Sequence, residues 1–594
     1  MNKQPLKQTW NLDTIFPGGS ESPAFAEFAE QMVRDISKFA GMLESVNGRV
    51  KVQSLEEPIE LMQSLSNRLR EGSAYVECLT AENQNDRKAV LLSGKMRDTH
   101  AKFMSSLTQF DQLLTQVPDE DWEAFLTSQK YKPIAFNLEE RRQLAGEKMA
   151  PALEALANNL AVDGYHGWGE MYNTTVSKVE IPFEENGETK RLSAGQAFNK
   201  LHSADRSVRT EMFHKWEAEW GAKADFCADA LNHLGGFRTQ LYKARGWDSI
   251  LKEPLQINRM SEQTLDTMWN VINEHSGKFV SFLQRKAKLL GLESLSWYDV
   301  DAPLGTAGKV YSYDEAAELI VEQFRKFSPK MADFAVKAFE EGWIEVEDRP
   351  GKRPGGFCTS LPVSKQTRIF MTFSGTASNV STLAHELGHA YHQYVMDELP
   401  AMAQEYAMNV AETASTFAEM IVADAAVKEA ESPQEKLALL ENKVQSSIAF
   451  FMNIQARFLF ETRFYAKRKQ GLVSTEELNT LMEEAQKEAY QHALNEYHPH
   501  FWASKMHFYI TEVPFYNFPY TFGYLFSYGI FARALKEGAA FENKYIALLQ
   551  DTGSMTVEEL AQKHLNVDLT QPQFWSEAVG LCVEDVEEFL RMTE

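Results

Sequence analysis

Asn379–Gln393 reads NVSTLAHELGHAYHQ. Small and apolar residues surround its polar groups (Leu383, Ala384, Leu387, Gly388, Ala390), a pattern that predicts a buried helix. An α-helix advances about 100° per residue, so His385 and His389 share one face, with Glu386 on its neighbouring edge. Just upstream, Thr367–Phe373 (TRIFMTF) reads as a strand, and Ser374-Gly375-Thr376 as the break between the two elements.

Working outward, most of the chain reads as helix, with apolar residues at three- and four-residue steps. Two examples are Phe25–Leu43 and Leu138–Leu160, the latter with Pro151 placed to kink or split it. Val176–Leu192 departs from this pattern. Alternating side chains flank Asn186-Gly187, which predicts a hairpin. A boundary near it would divide the chain into an N-terminal helical lobe, 1–195, and a second domain, 196–594, that carries the histidine-bearing helix; the alternative is a surface hairpin on one continuous helical domain. Helices resume to about Trp343, interrupted by a loop around Asp299–Gly308, and His507–Tyr528 is strongly aromatic. No period of 20 to 50 residues recurs, which excludes a regular solenoid. The expected fold is mainly α, with a small β element beside the histidine-bearing helix.

The chain has 594 residues, enough for several domains, with 44% hydrophobic and 24% charged residues, which excludes wholesale disorder. Its formal net charge of −24 repels phosphate backbones and anionic bilayers, so neither nucleic acid nor a membrane surface is an expected partner. The four cysteines form no CxxC pair and are too sparse for a disulfide framework, which suits a reducing compartment. With no signal-like start and no long apolar run, a cytoplasmic location is expected.

His385-Glu386-Leu-Gly-His389 is an HExxH motif. Two imidazoles one turn apart can hold one tetrahedral Zn²⁺, and the intervening carboxylate can take a proton from a water on that metal. The alternative, two histidines on a polar surface, conflicts with the apolar residues around them. A third ligand is required. The metzincin pattern fails, because His392 and Val395 stand where Gly and His are needed. His392 is awkward as a third ligand from one straight helix and better suited to packing or substrate contact. Glu405, Glu412 and Glu419, spaced by seven on the next predicted helix, share one face and are all candidates. Small neighbours (Ala411, Thr413, Ala414, Ser415) suit Glu412 to a close helix–helix approach.

HELGHAYHQ followed by AETASTFAEM resembles the thimet-oligopeptidase family of zinc metallopeptidases. The opening WNLDTIFPG, the GGFC loop at Gly355–Cys358 and PFYNFPYTFGYLFS at Pro514–Ser527 resemble its oligoendopeptidase F branch. The resemblance implies a helical, two-lobed ellipsoid with a deep substrate channel and one Zn²⁺ on its floor. It implies cleavage of short peptides at internal bonds by a zinc-held water that Glu386 activates. His385, His389 and Glu412 become the zinc ligands, and Glu419 a carboxylate that orients a ligand imidazole. Thr367–Phe373 would pair with the substrate backbone by edge addition.

Peptide hydrolysis builds an oxyanion, and a phenol or imidazole beside the metal can bind it. Tyr524, which follows Gly523 as in the family, is the first candidate, and Tyr520 lies one turn before it. His507 resembles the family's upstream histidine at a longer spacing, with His498 and His500 as competitors. Two other functions are compatible with an HExxH helix in a helical chain. A zinc exopeptidase of this broad class would carry a GxMEN segment, which is absent. A non-catalytic helical peptide-binding protein would have no use for Glu386.

Overall fold

The structure is a computed structural model that describes residues 5–46, 50–185, 187–305 and 310–594. The chain is mostly helix with three small sheets among the described residues. It divides into two compact units, each assembled from three stretches of sequence. One contains Met1–Lys148, Gly308–Ala425 and Arg533–Asn566; the other contains Met149–Ala307, Ala426–Ala532 and Val567–Glu594. The boundary expected near residue 195 falls inside the second unit.

In the first unit, helices Pro23–Glu44, Glu56–Glu82 and Arg87–Leu114 pack together. Ser22 and Asp86 cap the first and third by accepting backbone N–H groups, which satisfies donors the helix itself cannot pair. The buried faces supply Met32, Phe39, Tyr75, Phe103 and Phe110 to one core. Pro151 does split the predicted Leu138–Leu160. The chain forms Ala135–Gly146 and then a separate helix, Pro151–Ala161, with proline in its first turn.

The small β element lies in the first unit. Gln366–Phe370 is the middle strand of three, antiparallel to Phe357–Leu361 and parallel to Ile344–Glu345. This corrects the edge-addition expectation. At Ile369 and Phe370 both sides already pair with protein, and the sheet's outer edge belongs to Phe357–Leu361. The N-terminal WNLDTIFPG segment braces this sheet. Trp10 packs 5.6 Å from the Phe370 ring, and buried Arg368 donates to the Asn11 carbonyl at 2.7 Å.

In the second unit, the 39-residue helix Arg206–Ala244 packs against Gly167–Ser177 and Ile454–Arg468, and Glu262–Leu289 packs against Pro572–Met592. The predicted hairpin forms from Glu180–Glu185 and Glu188–Ser193. Gly187 takes a φ of +81°, as a tight turn requires; Asn186 and Gly308, also part of the sequence expectations, lie outside the described residues.

Candidate metal centre

The helix predicted around Asn379–Gln393 runs from Ala377 to Met396, capped by Thr376, whose side chain accepts the Asn379 N–H. After a short 3-10 turn at Ala401–Gln404, the next helix, Met408–Glu429, crosses beside it. Gly388 sets the distance between the two. A Cβ at this position would lie 2.4 Å from the Ala414 carbonyl oxygen and 2.6 Å from the Ser415 Cα, so only glycine allows this approach.

That approach selects one carboxylate from the three on the second segment. Glu412 Oε2 lies 3.2 Å from His385 Nε2 and 3.6 Å from His389 Nε2. One ligand atom from each of His385, His389 and Glu412 lies within 4.8 Å of the others, the one such His/Cys/Asp/Glu group among the described residues. Glu419 Oε2 stands 3.2 Å from His385 Nδ1, on the far side of that ring. With Nδ1 turned to Glu419, Nε2 is the atom that faces the cluster. Glu405 precedes the helix altogether and is not in the group. The Ser415 hydroxyl donates to Glu412 Oε2 at 2.9 Å and fixes the carboxylate.

The electrostatics fit a cation. Burial works against a charged His385, but the Glu412 and Glu419 carboxylates outweigh it and push the imidazole up to about 10. His389, buried and with less compensation, is pulled down to about 4. Burial would raise the Glu412 carboxyl, but the two imidazoles hold it down at about 2. The cluster thus keeps a net need for positive charge, on donors of the kind that zinc prefers. Glu386 differs. Burial pushes its carboxyl up to about 7, and its buried Oε2 has no hydrogen-bond partner. Gly356, in the GGFC loop, lies close against it, with a Cβ position 3.6 Å from Oε1.

His392 is fully buried and takes no part. Its ring stacks on Tyr406 at 4.3 Å, and Nε2 lies 2.9 Å from the Thr552 hydroxyl. The substrate-contact option for this residue is excluded.

The aromatic candidates all lie in the second unit. Tyr524 is 5% exposed, its ring stacked on Phe450 at 4.4 Å and its hydroxyl 2.9 Å from the Ser447 hydroxyl and 3.3 Å from that of Tyr528. A phenol so enclosed is a packing group, which corrects its first place among the oxyanion candidates. His498 and His500 are also committed, both bonding through Nδ1 to the Glu217 carboxylate. Tyr520 and His507 are only partly buried and flank Tyr516, whose ring centroid is 5.8 and 5.4 Å from theirs. His507 Nδ1 has no partner. Phe515, just before, holds a φ of +53° and donates its N–H to buried Glu461 at 3.2 Å, a backbone strain of the kind found near functional sites. The sequence reading missed Glu461 and also Arg457, whose guanidinium donates to Asn517 at 2.9 Å. No local signal distinguishes either residue from other helix charges.

Comparison with known proteins agrees with this geometry. The chain is 26% identical over 548 residues to "Group B oligopeptidase PepB" of Streptococcus agalactiae, covering 87% of this chain and 86% of that protein. It is 23% identical to "Oligoendopeptidase F, plasmid" of Lactococcus lactis subsp. cremoris, covering 100% and 98%. The fold matches a crystal structure of oligoendopeptidase-F from Enterococcus faecium with a TM-score of 0.71 at 18% identity, covering 96% and 98% of the two chains. The profile described as Oligopeptidase F matches residues 114–180. That of peptidase family M3 matches residues 200–581, well over half of the chain and all of the metal cluster, so the chain belongs to peptidase family M3 and is a metalloendopeptidase.

Proposed function

We propose that the chain is a zinc-dependent endo-oligopeptidase in which His385, His389 and Glu412 hold one Zn²⁺ and Glu386 is the general base. The observation that carries this reading is the convergence of two Nε2 atoms and one carboxylate oxygen beside a buried carboxyl with a free oxygen. Zn²⁺ supplies Lewis-acid polarisation of the scissile carbonyl and makes a water acidic enough to attack at neutral pH.

The chain's own residues do the rest. Glu386 Oε2, free of protein partners, accepts the proton of the attacking water and returns it to the leaving amine. Burial raises the carboxyl, which favours its taking up that proton. Glu419 keeps His385 in the tautomer whose Nε2 faces the metal. The oxyanion falls to Tyr520 and His507, whose side chains are only partly buried where that of Tyr524 is buried. All these residues fall in 196–594, to which we assign the peptidase function, with 1–195 as its helical companion. The substrates are short, unfolded peptides. A folded protein would first have to unfold, at a cost of about 5–15 kcal/mol. Among the described residues no helix is long and apolar enough to cross a membrane, and we assign the enzyme to the cytoplasm.

The test is one quenched-fluorescent peptide, assayed with and without chelator, with mass-spectrometric mapping of the cuts. Internal cuts that stop on chelation and return with zinc support the reading. Cuts only at a terminus would make the enzyme an exopeptidase, and chelator-resistant cleavage would remove the metal from the mechanism. The same sequence grafted into an ordered loop of a stable protein should be cut far more slowly than the free peptide.

A further inference from the structure

Two cationic side chains, Arg457 and Lys505, gather beside His507 at the aromatic segment without a carboxylate to pair with. The Arg457 guanidinium and the Lys505 ammonium both lie 5.2 Å from the Phe501 ring. Lys505 also stands 4.9 Å from the Phe198 ring, and among the described residues it has no hydrogen bond or ion pair. Arg457 donates only to the neutral amides of Asn453 and Asn517. His507, two residues beyond Lys505, has a buried Nδ1 without a hydrogen-bond partner. The carboxylate that acts on Lys505 at longer range is that of Asp301, which is exposed and accepts the Gln445 amide at 2.6 Å. Arg457, Lys505 and His507 are partly buried, as are Tyr516 and Tyr520 beside them, so the cluster borders solvent rather than sealing a core.

Gathered cations without counter-charge are costly in a half-desolvated place. Burial draws Lys505 down to about 7 and, with Arg457 and Lys505 beside it, His507 to about 4. This concentration of positive charge is also unusual for a chain whose net charge is −24. An arriving anion would be held by charge-assisted hydrogen bonds and would restore the balance.

We propose that Arg457 and Lys505, next to His507, form a subsite for a carboxylate of the bound peptide. The proposal rests on the peptidase reading for the identity of its ligand, since peptides bring a carboxylate at the C-terminus and on Asp or Glu side chains. It makes binding depend on the position of a negative charge, which sequence-tolerant backbone pairing alone would not do.

The experiment measures binding rather than turnover, using zinc-loaded Glu386→Gln full-length protein and fluorescently labelled peptides of one sequence. One peptide ends in a free acid, one in an amide, and a series of amides carries a single Glu at successive positions. The free acid, or one member of the Glu series, should bind about tenfold more tightly than the plain amide. The two arms tell a C-terminal from a side-chain carboxylate. Adding Lys505→Met should bring that ratio close to one, and Lys505→Arg should restore it, with thermal melts to verify folding. Equal affinities for all peptides, a preference that persists in Lys505→Met, or no binding of any peptide would each overturn the subsite. Cleavage by the wild-type enzyme decides the peptidase reading separately, so failure of one does not masquerade as failure of the other.

Discussion

The metal cluster and the aromatic segment meet the same chemical demand, well-placed polar atoms, by opposite means. Around His385 every ring nitrogen that faces the cluster has a carboxylate opposite it, and the two helices are locked at contact distance by Gly388. Around His507 a buried ring nitrogen has no partner, the cations lack counter-ions, and the backbone is strained at Phe515. The first region is complete apart from a cation. On the proposed reading, the second awaits a group that arrives with the substrate. Preorganisation would then lie with the metal cluster and the adaptable contacts with the aromatic segment.

The largest effect should come from the one open polar atom on the metal side. Glu386→Gln removes the proton acceptor and leaves the ligands untouched, so cleavage should fall about 10²–10⁴-fold while elemental analysis still finds zinc. Turnover close to wild type would remove Glu386 from its role.

Two tyrosines one turn apart then divide the aromatic segment. Tyr520→Phe should lower kcat by about 10²-fold or more with little change in KM, the loss typical of a missing oxyanion donor. Tyr524→Phe should leave activity within a few-fold and cost about 1–3 kcal/mol of stability, because it breaks buried bonds with Ser447 and Tyr528. The reverse ranking would restore Tyr524 as the donor.

Glu419→Gln sharpens the metal side. It loosens His385 without removing a ligand, and zinc affinity, measured by competition with a chromophoric chelator, should weaken about 10–100-fold. An unchanged affinity would make Glu419 a bystander.

The smallest effect concerns the support behind the aromatic segment. Burial would raise the Glu217 carboxyl, but His498 and His500 hold it down at about 2, below its ordinary 4.5. A depressed carboxyl stabilises the fold fully above its unfolded value and loses that contribution as pH falls from about 4.5 to about 2. Between those limits the wild-type Tm should drop by about 2–4 °C more than that of Glu217→Gln, which has no proton to take up. Parallel acid profiles would place the bridge outside the stability of this unit.

The metal side was the more legible in sequence for a covalent reason. His385, Glu386 and His389 sit at fixed offsets on one helix, so their convergence needs nothing beyond helical geometry. Glu412 was harder, because Glu405 and Glu419 occupy the same face by the same spacing; the choice is made by the Gly388–Ala414 contact, which belongs to two helices at once. The rank of Tyr520 over Tyr524 depends on Ser447 and Phe450, which come from a remote segment. Strand order was equally hidden. Thr367–Phe373 carries a strand pattern whether it lies at the edge or in the middle, and only Ile344–Glu345 pairing on its other side decides. Lys505 and Arg457 had no signature, since an unpaired cation is defined by what is missing around it.

The most direct measurement is the zinc content of Glu412→Gln after dialysis, beside wild type and Glu386→Gln. Glu412 is the ligand that the fold, rather than the motif, brings to the histidines. The account predicts about one zinc per chain in wild type and Glu386→Gln, and little in Glu412→Gln even though that variant still folds. A full complement of zinc in folded Glu412→Gln would contradict it.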